Sequence, residues 1–281
     1  MSKGKERTVI VFTDHSGMRF NMIGAMPDEA EHPSIGIIQF AVKGGTPAAG
    51  VFARQFPKRI EESFRYFSDI FPFSYLFTAN TNEGETRYAV FDNEFSHPHL
   101  PDFAKAYKLD YILTGSINID DGFEIAIKLF HKIENQTVYE KNYQTKNHED
   151  IILLLDNILK DIAETIGLKT GDFNYFEGLT ENPTAFLFYC EAMSKLDTRY
   201  LGIVYDPFDT ATSFLKTLRF DKFFDEASKK LLAICLEMDE IGKPEIGLEL
   251  VNTYLQIDPK NLFSKDVQTS MGGKINKKKS G

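Results

Sequence analysis

Apolar positions alternate with polar ones in some stretches of this chain and recur at helical spacing in others, which separates strands from helices before anything else is known. Residues 8–13 and 18–23 are β-rich runs separated by Asp14, His15, Ser16 and Gly17, a turn-forming set that predicts a hairpin. The apolar run 35–42, bounded by Pro33 and by Gly44 and Gly45, fits a strand buried on both faces. Phe52, Phe56, Ile60, Phe64 and Phe67 then fall on one face of a helix. Pro57 interrupts that pattern, so the helix is expected to begin near it or to kink there. Residues 75–79 and 87–91 predict two further strands, with a polar loop around Asn82 and Gly84 between them.

The clearest patterning lies between Leu100 and Leu168. A short helix over 102–108 leads into strands over 111–119, 123–132 and 137–144. Asp121-Gly122 predicts a two-residue hairpin turn with both residues at positive φ. Ile125, Ile127 and Leu129 alternate with Ala126, Lys128 and Phe130, as a half-buried antiparallel strand requires. Asn147 is placed to cap a helix whose first turn holds Glu149 and Asp150 and whose stripe is Ile151, Leu155, Ile158, Ile162 and Ile166, with Gly167 as the stop.

Beyond a Gly- and Asn-containing link over 169–182 the periodicity is helical throughout. Segments 183–196, 210–218, 223–238 and 244–256 predict two helical hairpins, and Leu218-Arg219-Phe220-Asp221 recurs one hairpin later as Leu255-Gln256-Ile257-Asp258. The expected fold class is α+β: a mixed sheet with flanking helices, followed by an all-α segment. The expected boundaries are 1–170 for the sheet-containing domain, including the extra N-terminal hairpin, 171–264 for the helical domain, and 265–281 for a tail.

Residues 104–143, AKAYKLDYILTGSINIDDGFEIAIKLFHKIENQTVYEKNY, resemble the TolB amino-terminal-like domain that precedes tetratricopeptide repeats in many bacterial regulatory proteins. The likeness lies in the order of parts: a short helix, a strand carrying Leu113-Thr114-Gly115-Ser116, a hairpin, an aromatic-rich third strand and a closing amphipathic helix. Ile35 to Phe40 resembles that family's opening strand, although the family usually has a tryptophan near Tyr139 and this chain has none. Residues 242–261, GKPEIGLELVNTYLQIDPKN, resemble a degenerate tetratricopeptide repeat. Together these resemblances imply a TolB-like scaffold followed by helices that bind a protein or peptide.

Composition narrows the function classes. Of 281 residues, 42% are hydrophobic and 26% charged, which fits a chain that folds. The net charge of −9 repels phosphate backbones, so nucleic acid is not an expected partner. Lys274, Lys277, Lys278 and Lys279 sit on a Gly- and Ser-containing tail that is expected to be disordered. No segment has the apolar length of a membrane span, and the polar stretch 1–7 leads straight into a strand pattern, so the expected location is cytoplasmic. Cys190 and Cys235 fall in apolar helical patterns and read as small buried hydrophobes.

No set of residues spells out a catalytic or cofactor chemistry. His97-Pro98-His99, near Asp92 and Glu94, suggests a metal, but an extended His-Pro-His backbone would point the two rings apart, so no metal is expected. Ser116 falls within a strand rather than on a strand-to-helix elbow. Gly44-Gly45 lies between a strand and a helix, yet the lysine of a phosphate-binding loop is missing. Paired acids such as Glu61-Glu62, Asp120-Asp121 and Glu149-Asp150 each have a local structural reason. The reading is therefore a non-enzymatic protein-interaction or scaffold module without cofactor. The alternative is a small-ligand sensor with its cleft beside Gly44, Gly45 and the first helix. Phe186, Tyr189, Phe223, Phe224 and Tyr254 are the candidate partner-binding residues, and a homo-oligomer is compatible with this reading.

Overall fold

The structure, a computed structural model, describes residues 8–13, 19–24, 32–80, 84–95, 97–169 and 179–279, with side chains from 32 to 273 apart from 47 and 97. The chain divides into two compact units, Met1–Tyr175 with Leu201–Ile203, and Phe176–Tyr200 with Val204–Gly281.

The first unit is built on a mixed sheet of nine strands among the described residues. They are β1 (Thr8–Thr13), β2 (Arg19–Gly24), β3 (Ser34–Ile38), β4 (Ala41–Lys43), β5 (Phe71–Asn80), β6 (Thr86–Tyr88), β7 (Tyr111–Asn118), β8 (Phe123–His131) and β9 (Gln136–Thr145). Their order is β1-β2-β5-β3-β7-β8-β9, with β6 beside β5 and β4 beside β7. β3 lies parallel to both its neighbours, and all five of its residues are buried, as a central parallel strand demands. The flanks are antiparallel. The expected pairing of the first two strands is present, with Thr8 opposite Gly24, while its turn at 14–17 lies outside the described residues.

The apolar run expected as one strand over 35–42 is two. Gln39 breaks it: its buried side chain donates to the Ala89 carbonyl at 2.6 Å and accepts from the Phe77 N–H at 3.2 Å, in place of ladder partners. Helix α1 (Pro47–Phe64) begins a full ten residues before Pro57 and carries that proline in its interior, so the expected start near Pro57 is corrected. Proline at the first helical position needs no N–H donor there, which makes Pro47 the better starting point.

Helices cover both faces of the sheet. Phe52 and Phe56 of α1 meet Phe123 of β8 with ring centroids 5.5 and 6.0 Å apart, and α3 (Ile151–Thr165) covers the same side beside β9. On the opposite face α2 (Leu100–Ala106) and the following Tyr107 pack into an aromatic cluster, with Phe103 5.4 Å from Tyr75 and 4.5 Å from Tyr107. Asn147 accepts from the Glu149 N–H at 3.1 Å and so caps the 3-10 turn that opens α3. The β7–β8 connection is longer than expected, because Asn118 pairs with Glu124 and of Asp121 and Gly122 only the glycine has positive φ. The Asn118 side chain accepts from the Asp120 N–H at 3.0 Å and sets that wider turn.

The second unit is wholly helical among its described residues: α4 (Pro183–Leu201), α5 (Pro207–Phe220), α6 (Asp225–Glu240), α7 (Pro244–Ile257) and α8 (Leu262–Lys279). One apolar core joins them, including Tyr189, Phe214, Phe224, Leu231, Val251 and Tyr254. The sequence recurrence is geometric as well. Asp221 and Asp258 end their helices at similar backbone angles, φ −142°, ψ 95° and φ −129°, ψ 84°, and each carboxylate accepts from the N–H two residues on, at 3.0 and 3.3 Å. The tail expected to be disordered from 265 is corrected: α8 runs through it to Lys279, and Val267 and Met271 are buried in the helical core. Two apolar residues four apart suffice there because packing, not propensity, holds the helix.

Candidate functional site

Three places were open to chemistry, and the first is the turn at Gly44. It follows β4 and precedes α1, and Gly44 has φ of +89°. The space beside it is filled from within the chain: a Cβ on Gly44 would meet the Asp120 carboxylate at 2.1 Å. That carboxylate accepts from the Thr46 hydroxyl at 2.6 Å, at the N-terminal end of α1 where a negative charge is favoured. A phosphate or carboxylate ligand would have to displace Asp120, so the turn is already occupied by the chain's own anion.

The second place is the inward face of β9. Tyr139, Lys141 and Tyr143 alternate along the strand and converge on Asp161 of α3. One carboxylate oxygen receives all three, from Tyr139 at 2.9 Å, Tyr143 at 2.6 Å and Lys141 at 2.6 Å, and the two tyrosine oxygens are 2.6 Å apart. Burial alone would raise the Asp161 carboxyl, but the hydrogen bonds from Lys141, Tyr143 and Tyr139 outweigh it and hold it below its ordinary value. Burial, followed by the bond to Asp161, pushes the Tyr143 hydroxyl well up. A general acid or base works best near the ambient pH, and both of these groups are driven away from neutrality. Tyr139, Lys141 and Asp161, with Glu164 and Thr165, line a shallow depression of about 390 Å³. The arrangement serves as a clamp between α3 and the edge strand.

Ser116 is buried on β7 and donates to a Glu94 oxygen at 2.8 Å, while the other Glu94 oxygen lies 3.1 Å from the Lys128 ammonium. That carboxylate is held between the Ser116 hydroxyl and the Lys128 ammonium. His97–His99 forms a 3-10 turn leading into α2 rather than the extended segment expected, since the fixed φ of Pro98 suits such a turn. Among the described residues no group of three or more His, Cys, Asp or Glu side chains converges as metal ligands.

The third place is the helical unit, where the expected partner-binding residues separate. Phe186, Tyr189, Phe224 and Tyr254 are buried core residues and present no surface to a partner. Tyr189 lies 4.7 Å from Phe224 and 6.0 Å from Phe214, ring to ring, and Tyr254 accepts from Asn261 at 3.1 Å. Phe186, Tyr189 and Tyr254 face inward because the 3.6-residue period puts them on the shared side of their helices, and Phe224 does so from the residue just before α6. Phe223 alone of the five is outside, 76% exposed. The pattern did not single out Phe220 at 51%, Leu262 at 74% and Phe263 at 58%, which are exposed beside the same connections. Their signal is positional: each sits at a helix end, off the apolar stripe.

No known family model matches the chain, and no curated protein matches it in sequence. Among solved structures, TolB from Acinetobacter baumannii is similar over 60% of this chain and 33% of its own, at 15% identity and a TM-score of 0.34. This chain thus spans about a third of that protein's length. The PelC dodecamer from Paraburkholderia phytofirmans is similar over 53% of this chain and 98% of its own, at 11% identity and a TM-score of 0.29. The first shares its name with the family that residues 104–143 resemble, and likenesses this slight say nothing of what the chain binds or does.

Proposed function

We propose that the chain is a non-enzymatic protein-interaction module of a bacterial regulatory system, working in the cytoplasm, with the helical unit docking a partner and the sheet-containing unit serving as scaffold. The observation that carries this reading is the recurrence of one cap geometry at Asp221 and Asp258 in a stack of antiparallel helices. Arrays of such hairpins, as in tetratricopeptide repeats, bury one side of each helix against the next and leave an extended outer surface that suits a peptide or protein. The filled turn at Gly44 and the clamped Asp161 weigh against a small-ligand role for the sheet-containing unit.

The test is affinity capture with the full chain as bait in its native lysate, followed by reconstitution of each recovered complex from purified components. One reproducible partner that binds the helical unit is the expected result. Failure to recover any partner in replicate captures, together with turnover of a small molecule by the purified chain, would overturn the proposal.

A further inference from the structure

β9 closes one side of the sheet, and its ten residues from Gln136 to Thr145 pair with β8 alone. The register shifts between Leu129 and Phe130, and from there the ladder runs one for one along Tyr139 to Thr145. Among the described residues no backbone group on the outer side of that stretch bonds to another segment. An edge of this length, without proline or glycine, is a template for another extended backbone. Proteins commonly guard such an edge with a lysine. Lys141 does not fill that role, because its ammonium is drawn to Asp161 of α3 at 2.6 Å.

The charged residues between Gln136 and Asn147 are Glu140, Lys141 and Lys146. Tyr139, Lys141 and Tyr143 face α3, so the alternation of a strand puts Glu140 and Lys146 on the other face. The two lie at equal spacing on either side of Tyr143. The Glu140 side chain is 63% exposed with Lys128 3.4 Å away, and Lys146 is exposed without an ion pair among the described residues. A strand that answers both charges must carry a cation and an anion at the same spacing in reverse order. A second copy of β9 does so when it runs antiparallel about Tyr143. Glu140 then lies opposite Lys146 of the second copy and Lys146 opposite its Glu140, while Lys141 meets Thr145 and Asn142 meets Gln144. Centring the pair at Glu140 or Lys141 sets like charges opposite each other, and centring it at Asn142 leaves Glu140 opposite Gln144 with no ion pair.

We infer that two copies of this chain associate through antiparallel pairing of their β9 edges about Tyr143, giving one continuous sheet across a two-fold axis. A symmetric dimer needs one patch that is complementary to itself, and the spacing of Glu140 and Lys146 about Tyr143 meets that condition. Exposed ion pairs contribute little each, so the backbone ladder supplies the affinity and the two pairs fix the register. The inference is independent of the partner proposed for the helical unit.

Sedimentation velocity of the full chain over a concentration series up to about 100 µM tests this. A monomer–dimer equilibrium is expected, with the amides of residues 139–146 more protected from hydrogen exchange in the dimer. Glu140→Lys alone and Lys146→Glu alone each set two like-charge pairs across the axis and should weaken the dimer about tenfold. The two substitutions together restore opposite charges and should return the affinity to within about threefold of the parent. Both side chains are exposed, and an unchanged circular dichroism spectrum would show that the variants fold. A chain that stays monomeric, a dimer indifferent to the single substitutions, or a double variant as weak as the singles would overturn the inference. So would protection of the β9 amides only in complex with a different protein, which would assign the edge to that protein's strand.

Discussion

The Phe40 N–H donates to the carbonyl of Ala53 at 2.9 Å, and this bond joins a break in the sheet to a break in a helix. Pro57 has no N–H to offer the carbonyl four residues before it, and its ring pushes that carbonyl aside. Phe40 lies just after Gln39, where β3 stops, and needs an acceptor away from the ladder. Each irregularity supplies what the other lacks. An interior proline ordinarily costs a helix about 3 kcal/mol. Here Pro57→Ala is expected to change stability by less than about 1 kcal/mol, because the Ala53 carbonyl is already satisfied. Chemical denaturation of the two forms measures this, and hydrogen exchange should find the Phe40 amide protected like those of α1. A gain near the full proline penalty would show that the sheet bond does not compensate.

That bond also shows where the sequence could and could not be read. The stripe from Ile151 to Ile162 and the alternation of Ile125, Ile127 and Leu129 are local patterns, and α3 and β8 follow them. The start of α1 and the split of the strand at Gln39 depend on partners far along the chain, which no period encodes. The same holds for the candidate site. Phe223 and Phe224 are adjacent and chemically identical, and only the angle at which α6 leaves its connection sends one to solvent and the other to the core.

Asp161 gives a dependence on acid. Its folded-state carboxyl lies below the ordinary value of 3.8, so its contribution to stability is complete above that value and is lost as the pH falls through the lower folded one. Asp161→Asn should cost about 1–3 kcal/mol at neutral pH and should flatten the acid limb of the stability curve below about pH 4. Urea midpoints taken at steps of pH would record both. An acid limb as steep as in the parent protein would mean that another carboxylate dominates.

Burial separates the five aromatic residues into two classes with opposite expected behaviour. Tyr189→Ala removes a ring packed between Phe214 and Phe224 and should destabilise the helical unit by about 3–5 kcal/mol. Phe223→Ala should leave stability within about 0.5 kcal/mol, because its ring is in water. Thermal and denaturant unfolding of the two variants compares them directly. Equal losses would contradict the inward and outward assignment.

The length of α8 sets the last expectation. Gly247 of α7 is the point of close approach: a Cβ there would meet the Met271 methyl carbon at 2.5 Å and the Cys235 carbonyl oxygen at 2.6 Å, so α7 sits tightly between α6 and α8. Removing residues 265–281 takes Val267 and Met271 out of that core. Burying side chains of this kind contributes about 1.5–3 kcal/mol each. Part of that is offset by the entropy of ordering a helix with little apolar surface elsewhere. The net loss on truncation should be about 2–4 kcal/mol, with a lower unfolding temperature and slower protease resistance recovery on refolding. Gly247→Ala should act in the same direction, and truncation should relieve only the Met271 part of its cost, because the Cys235 carbonyl oxygen of α6 stays where it is. If the shortened chain were as stable as the full one, α8 would be an ornament on the surface rather than the closing layer of the stack.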